Sequence, residues 1–255
     1  MADSNTEQRI FETGGITVHL NTAPPVYAPG GPVAFAFSLP EGATAQSLKE
    51  AETEAARRGA VLLVVQCNVE SVDQETLLRA QGYTYASSWY LGKPLSIAPL
   101  EQSSLTIRPA TAADVPRILE IGERKREQYD TFSPVFWKKA PTPREEFAPY
   151  VTSQVESEQN VALVAEADGA MHGYLIAQYR NLAEGYIDDY AVADPHTDWP
   201  GAGVALLSVA EQLAEERGVE TIMIVTGHAD APKRAAAEQR GFTLRKNWLV
   251  KPLSP

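Results

Sequence analysis

The stretch Tyr186-Ile-Asp-Asp-Tyr-Ala-Val-Ala-Asp-Pro195, followed by His196-Thr-Asp-Trp-Pro-Gly-Ala-Gly-Val-Ala205, decides the fold. Its first part has the apolar and aromatic content of a strand. Its second part is a tight turn holding Gly201 and Gly203, and it runs into an amphipathic helix. The first N–H groups of a helix have no partner within it, and the helix dipole places partial positive charge there. A glycine-flanked turn at that point is therefore a ready seat for phosphate oxygens, because no Cβ stands between backbone and ligand. Taken alone, the same residues would also serve as an ordinary strand–helix connection.

The residues downstream narrow the choice. Val204 to Arg217 reads as a helix, Gly218 ends it, and Thr221-Ile-Met-Ile-Val-Thr226 is an apolar strand. A short helix follows from about Pro232 to Gln239, and Gly241-Phe242 is expected to open a terminal hairpin. Strand, glycine turn, helix, strand, helix, Gly-Phe and strand, in that order, resembles the acetyl-CoA-binding half of the GNAT acyltransferase superfamily. The likeness extends upstream to Leu105, where Ile107-Arg-Pro-Ala-Thr-Ala-Ala-Asp114 is similar to the opening of such domains. The family's loop runs Arg/Gln-x-x-Gly-x-Gly/Ala. Here it is Asp198-Trp-Pro-Gly-Ala-Gly203, so both glycines match and an acid replaces the basic residue.

The resemblance implies an α/β (α+β) fold, a mixed twisted sheet flanked by helices, with acetyl-CoA as co-substrate. It places the pantetheine arm along the backbone of Tyr190, Ala191 and Val192, much as an added strand would lie. It places pyrophosphate on the N–H groups of Gly201, Ala202, Gly203, Val204 and Ala205. Asp188 and Asp189 would lie where amine and thioester meet, as base or as holder of the acceptor amine, the alternative being that they are solvated or pair with a basic residue. Adjacent residues of a regular strand face opposite ways, so at most one would face the cleft unless a bulge intervenes. The family's usual acid, a tyrosine four residues before the glycine of Gly-Phe, falls here at Ala237, and its usual asparagine falls at Asp230. Tyr190 could replace the missing acid, or solvent could protonate the thiolate. Lys233 and Arg234 fall near the expected CoA phosphates or at a solvated helix end. Trp199 would shield the pyrophosphate, stack on adenine or pack beneath the loop. Phe132, Phe136 and Trp137 fall on the expected acceptor wall, where plain core packing is the alternative.

Composition limits the remaining classes. The 255 residues carry 33 acidic and 22 basic side chains, a formal net charge of −11, which argues against nucleic acid or an anionic membrane as partner. No run of apolar residues is long enough for a membrane span, and the polar start lacks a signal-peptide pattern. A lone Cys67 in an apolar strand reads as a buried small residue and suits a cytoplasmic setting. His19, His172, His196 and His228 have no metal-ligand spacing, so no metal is expected.

The first part of the chain echoes the last. After frayed residues 1–8, Arg9 to Leu20 reads as a hairpin around Gly14-Gly15, Val33 to Ser38 as a strand and Ala45 to Arg58 as a helix. Val61 to Val65, Asp73 to Ala80 and Thr84 to Leu91 follow as strand, helix and strand. One constant spacing pairs Leu48 with Leu207, Ala51 with Ala210, Glu52 with Glu211, Arg58-Gly59 with Arg217-Gly218, Gly82 with Gly241 and Trp89 with Trp248. So many coincidences argue for duplication. Between the echoes, Glu145 to Glu158 reads as a helix and Val161–Glu166 with Gly173–Gln178 as a hairpin, Gly169 and Gly173 being turn residues.

These readings give two tandem GNAT-like units. Residues 1–97 would be an incomplete structural unit, 98–104 a linker and 105–255 the complete N-acetyltransferase domain. The first unit has Thr44 where the second has Gly203, and its β-branched side chain is expected to exclude CoA. The expected activity is acetyl transfer to a small-molecule or peptide primary amine within a ternary complex. The rival is a degenerate acyl-CoA-binding or regulatory protein; a purely structural protein is a third reading. A first unit that covers the usual dimer surface favours a monomer over a homodimer.

Overall fold

The computed structural model describes residues 9–22, 26–93, 105–179 and 183–254. The expected frayed segment 1–8 and the expected linker 98–104 lie outside them. The chain opens with β1 (Ile10–Thr13) and β2 (Ile16–Asn21), the hairpin expected around Gly14-Gly15. Then come β3 (Val33–Ala36), α1 (Ala45–Arg57), β4 (Leu62–Asn68), α2 (Val72–Ala80) and β5 (Thr84–Gly92). After the undescribed segment, β6 (Thr106–Pro109) leads to α3 (Val115–Phe132) and α4 (Pro143–Glu156). β7 (Asn160–Ala167), β8 (Ala170–Gln178), β9 (Gly185–Val192), α5 (Val204–Glu216), β10 (Ile222–Gly227), α6 (Ala231–Gln239) and β11 (Thr243–Pro252) complete it.

The helix starts follow from local chemistry. Thr44 caps α1: its Oγ1 accepts the Ser47 N–H at 3.2 Å, and Ser47 Oγ accepts the Thr44 N–H at 3.3 Å. α3 is entered through a single 3-10 turn, Ala112–Asp114, whose Asp114 carboxylate accepts the Thr111 N–H at 2.8 Å. α4 starts at Pro143 rather than Glu145, because proline at the first helical position loses no hydrogen bond.

All the strands form one sheet in the order β1-β2-β3-β4-β11-β5-β10-β9-β8-β7-β6. The centre of this order is unexpected. The terminal hairpin predicted after Gly241-Phe242 does not form. β11 is instead one continuous strand, antiparallel to β4 on one side and to β5 on the other, while β5 is antiparallel to β10. β5 has taken the place a returning hairpin strand would have filled, so the two halves of the chain exchange their last strands. α1 and α5 begin and end 159 residues apart, as do α2 and α6. Ser88 and Asn247, also 159 residues apart, face each other, and the Ser88 hydroxyl donates to Asn247 Oδ1 at 2.9 Å. Their neighbours Trp89 and Trp248, at the same spacing, stack at 4.8 Å between ring centroids. A local two-fold axis therefore passes between β5 and β11.

Alternation along the strands sorts the core into layers. Leu163, Leu175 and Ile187 pack against Leu206 and Leu207 of α5 and Ala236 of α6. Val164, Tyr174 and Ile176, from the other face, pack against Ile118 and Ile121 of α3 and Phe147 and Val151 of α4. Leu48, Ala51 and Ala55 of α1 cover Ile16, Val18, Leu63 and Val65, and Cys67 is buried with them as expected. Burial pushes the Cys67 thiol up to about 11. Gly173, read from sequence as a turn residue, lies inside β8: a Cβ there would meet the Ala191 carbonyl at 3.0 Å and Leu206 at 3.1 Å, so the close approach of α5 demands glycine.

Two irregularities shape the site. The β8–β9 register slips between Ile176↔Asp189 and Ala177↔Ile187, leaving Asp188 as the extra residue of a bulge. β9 and β10 pair in parallel only at Gly185–Ile187 with Ile222–Ile224. Beyond that point they diverge, and the β10-facing backbone edge of Asp188 to Val192 is left without a strand partner.

Candidate active site

The bulge lets both carboxylates reach the same cleft, contrary to the expectation that at most one would. Their situations differ. Asp189 is buried and accepts the Lys125 ammonium, Arg126 Nη2 at 3.0 Å and the Tyr174 hydroxyl at 3.0 Å. Burial alone would raise its pKa, but the charges of Lys125 and Arg126 outweigh that and hold it at about 2. A carboxylate held so low takes no proton near neutrality, so Asp189 is excluded as the base. It ties α3 to β9 instead. Asp188 is exposed at the bulge, where it accepts the Tyr150 hydroxyl from α4 and Gln178 Nε2 at 3.2 Å.

Tyr190 is excluded as the acid. Its hydroxyl is buried and donates to the Gly203 carbonyl, while its ring stands edge-on to Trp199 at 4.9 Å. Trp199 is itself buried and packs against Gly203 and Tyr190, and it also lines the cleft beside Ala191 and Val192. Lys233 is also misplaced by the sequence reading. It does not extend toward phosphates: it is 3 % exposed, and its ammonium donates to the Tyr190 carbonyl at 3.0 Å, in the fork where β9 and β10 part. Burial, reinforced by the charge of Lys125, pushes its pKa down to about 7. Arg234 likewise turns inward, to the Tyr90 hydroxyl at 2.9 Å and the His228 carbonyl at 3.0 Å.

The loop is closed on itself. Trp199–Gly203 forms one π-helical turn, in which the Gly203 N–H bonds the Asp198 carbonyl at 3.0 Å. Ala202, Gly203, Val204 and Ala205 are buried and Gly201 is exposed, and of the expected row of amides that of Gly203 is engaged within the turn. Gly203 is required for a different reason from the one expected: a Cβ there would lie 2.5 Å from the Trp199 ring and 3.0 Å from the Tyr190 hydroxyl. At Gly201 it would meet only Leu105, at 3.6 Å. Asp198, in the family's basic position, accepts the Asp194 N–H at 2.9 Å and lies 3.4 Å from His172.

Two clefts flank the diverging strands, and Lys125 lines both. One, of about 470 Å³, runs past Ala191, Val192 and Ala193 toward Arg124, Gln128 and His196. The other, of about 450 Å³, is walled by aromatic rings and contains Asp188, Asp189 and Lys233. Phe136 and Trp137 line this second cleft as expected. Phe132 is outside its lining and packs against Tyr129 at 5.7 Å.

The sequence reading missed Lys125, Arg126, Tyr150, Trp89 and Trp248 as site residues. Arg126 left a signal: it follows Ile118 and Gly122 at helical spacing on the apolar stripe of α3, where a charge needs a buried partner. Trp89 left none, because only the strand exchange brings it to this cleft.

In the first half, β3 and β4 also part, after Ala36 and Val65. There the gap is spanned by side chains: Gln66 Nε2 donates to the Phe37 carbonyl at 2.7 Å and Gln74 Nε2 to that of Leu39 at 3.3 Å. Thr44 and Ser47 engage each other's amides at the start of α1. Thr44 thus acts as a cap where a steric block was expected.

Residues 125–242 match the model of the acetyltransferase (GNAT) family. The chain is 26 % identical over 142 residues to the uncharacterized N-acetyltransferase YhfO of Bacillus subtilis (strain 168), an overlap of 54 % of this chain and 89 % of that protein. Its fold is similar to a GCN5-related N-acetyltransferase from Sphaerobacter thermophilus, with a TM-score of 0.64 and 18 % identity over 94 % of this chain and 77 % of the other. A GCN5-related N-acetyltransferase from Kribbella flavida gives a TM-score of 0.58 at 15 % identity, over 96 % and 89 %. A tandem GNAT protein from the clavulanic acid biosynthesis pathway gives 0.54 at 15 % identity, over 96 % and 82 %. The diverging β9 and β10 and the glycine turn after β9 fall within the matched segment, so residues 125–242 are similar in sequence and architecture to the acetyltransferase domain of the GNAT family, whose members use an acyl-CoA as co-substrate.

Proposed function

We propose that the chain transfers an acetyl group from acetyl-CoA to a primary amine by direct attack within a ternary complex. The observation that carries this reading is the parting of β9 and β10 after Ile187 and Ile224, with a cleft on either side. The edge of Ala191 and Val192 would hold the pantetheine amides, and Arg124 would supply positive charge to the phosphates with the His196 ring beside it. The carbonyl of the thioester would lie in the fork, and the amine would reach it from the aromatic cleft.

Lys233 is the group whose pKa suits proton transfer. Burial and the neighbouring Lys125 charge pull it down to about 7, into the range where an amine can both take and give a proton near neutrality. The bound ammonium would first lose one proton to water; Lys233 would take the second, shed by the attacking nitrogen as the C–N bond forms and the C–S bond breaks, and return it to the departing thiolate. Asp188, exposed at the bulge and accepting the Tyr150 hydroxyl and Gln178 Nε2, would hold the acceptor's ammonium. Thiol release from acetyl-CoA in the presence of an amine panel tests the reading. The expected results are turnover with an ascending limb near pH 7 and a loss of about 10²–10⁴-fold in kcat for Lys233→Met. Undiminished turnover in that variant refutes the assignment to Lys233. The acidic Asp198 and the engaged Gly203 amide favour one rival, a protein that binds acyl-CoA without turning it over. Saturable binding with no thiol release across the panel would support it.

We also propose residues 1–97 as a duplicated unit with a structural role, joined through 98–104 to the transferring unit, 105–255. The Gln66 and Gln74 bridges and the capped start of α1 support the view that it takes no CoA. A monomer is expected, and a dimer in light scattering would count against it.

A further inference from the structure

We propose that the acceptor is an aromatic primary amine, its ring held by the walls of the 450 Å³ cleft and its ammonium by Asp188. This rests on the transferase reading above and names the substrate class of the same site. Six rings form a continuous wall. Tyr186 lies 6.3 Å from Trp89, Trp89 is 4.8 Å from Trp248, Trp248 is 5.9 Å from Phe136, Phe136 is 4.6 Å from Trp137, and Trp137 is 4.8 Å from Tyr27. All six are only half-buried, so each keeps ring surface for a ligand. A contiguous, incompletely covered aromatic surface in a concave site is the signature of a binding cleft. The volume suits a one- or two-ring molecule, within the range of about 300–1,000 Å³ usual for small-molecule pockets.

Charge selects the polar end. Three cations line the cleft and each has a partner: Lys125 and Arg126 are bound to Asp189, and Lys233 to the Tyr190 carbonyl. An amino acid's carboxylate would therefore displace an existing interaction to find a cation. Two anions, Asp188 and Glu146, are exposed to the cleft's solvent. The ring faces add attraction for a cation. A linear polyamine could reach Asp188 and Glu146 but would leave the ring faces of the wall without a flat partner.

The test uses the full chain and two independent readouts. Intrinsic tryptophan fluorescence, without CoA, reports binding through Trp89, Trp137 and Trp248. Thiol release from acetyl-CoA reports turnover. The probes are 2-phenylethylamine, n-butylamine, 2-phenylethanol, phenylalanine and spermidine. We expect 2-phenylethylamine to bind at least tenfold more tightly than each of the other four. Asp188→Asn should abolish the preference over 2-phenylethanol, and Phe136→Leu should reduce the preference over n-butylamine several-fold. Equal or tighter binding of n-butylamine, spermidine or phenylalanine overturns the proposal, as does an unchanged amine preference in Asp188→Asn. If 2-phenylethylamine binds with these preferences but no thiol is released, the acceptor assignment stands and the transferase reading fails. If thiol is released only with spermidine, the transferase reading stands and the acceptor assignment fails.

Discussion

Lys233→Met removes a charge from the fork between β9 and β10 while nearly keeping its volume. In the folded chain the amine titrates at about 7 instead of 10.5, because it is buried and stands near Lys125. Between those values the unfolded chain binds more protons than the folded one, so stability must rise with pH. Below pH 7 both states are protonated, and the penalty is constant at about 5 kcal/mol. From pH 7 to pH 10 it should shrink by about 3.5 kcal/mol in the wild type and not at all in the variant. The substitution also deletes the 3.0 Å hydrogen bond to the Tyr190 carbonyl, which contributes about 1 kcal/mol. Lys233→Met should thus be more stable than wild type by about 3–4 kcal/mol at pH 6.5, with the two within about 1 kcal/mol near pH 10. Urea midpoints for both proteins, taken in half-unit steps from pH 6.5 to 10, give the difference directly. Groups with no interaction with Lys233 cancel in it, whereas Lys125, Asp189 and Asp230 interact with that charge and contribute to the curve. A difference curve that is flat with pH would refute the argument, since it would mean that the amine is solvated in the folded chain.

Other substitutions test other parts of the site. Asp189→Asn strands Lys125 and Arg126 without their buried counter-charge and should cost about 3–5 kcal/mol in chemical denaturation. With its pKa held at about 2, Asp189 contributes stability above the ordinary carboxylate range that is lost as pH falls through that value; an unaltered acid limb in the variant would contradict this. Gly203→Ala should destabilise by about 1–3 kcal/mol through the Trp199 contact, whereas Gly201→Ala should stay within about 0.5 kcal/mol; equal losses would show that the ring gives way. Thr44→Ala should cost about 1 kcal/mol through its cap and leave acetyl-CoA affinity as it was, by calorimetric titration. Residues 105–255 produced alone should fail to give a dispersed amide spectrum, because β10 and β11 would lose the strand that joins them; a cooperative thermal transition in that fragment would disprove the claim.

Much of the second half was legible because its elements are long and their signals local. Apolar periodicity, Gly218 and Gly241 placed α5, β10 and α6 to within a residue or two. The residue roles were less legible, because they depend on contacts distant in sequence. Lys233 was expected near the CoA phosphates or at a solvated helix end, and its inward turn depends on the Tyr190 carbonyl exposed by the strand divergence. Asp189 looked free to act as a base because Arg126 and Lys125, more than sixty residues earlier, could not be assigned to it. The alternation rule failed at Asp188 and Asp189 through the bulge, a backbone event without a sequence mark of its own. The steric argument for Gly203 named the right residue and the wrong neighbour.

The strand exchange gives the first half a role in the site even if, as proposed, it takes no CoA. Without β5, the β10 edge and one β11 edge would be bare, and bare edges invite aggregation. β5 covers both, and in doing so it brings Trp89 beside Trp248 in the acceptor cleft. Segments before β4 add Tyr27 and Phe35 to the same wall. The first half therefore constrains the site through shape, and its own gap could be bridged by Gln66 and Gln74 without loss to that role. Substitutions in β3 and β5 should accordingly alter which amine is accepted, while those around Ala191 and Val192 should alter how the acyl donor is held.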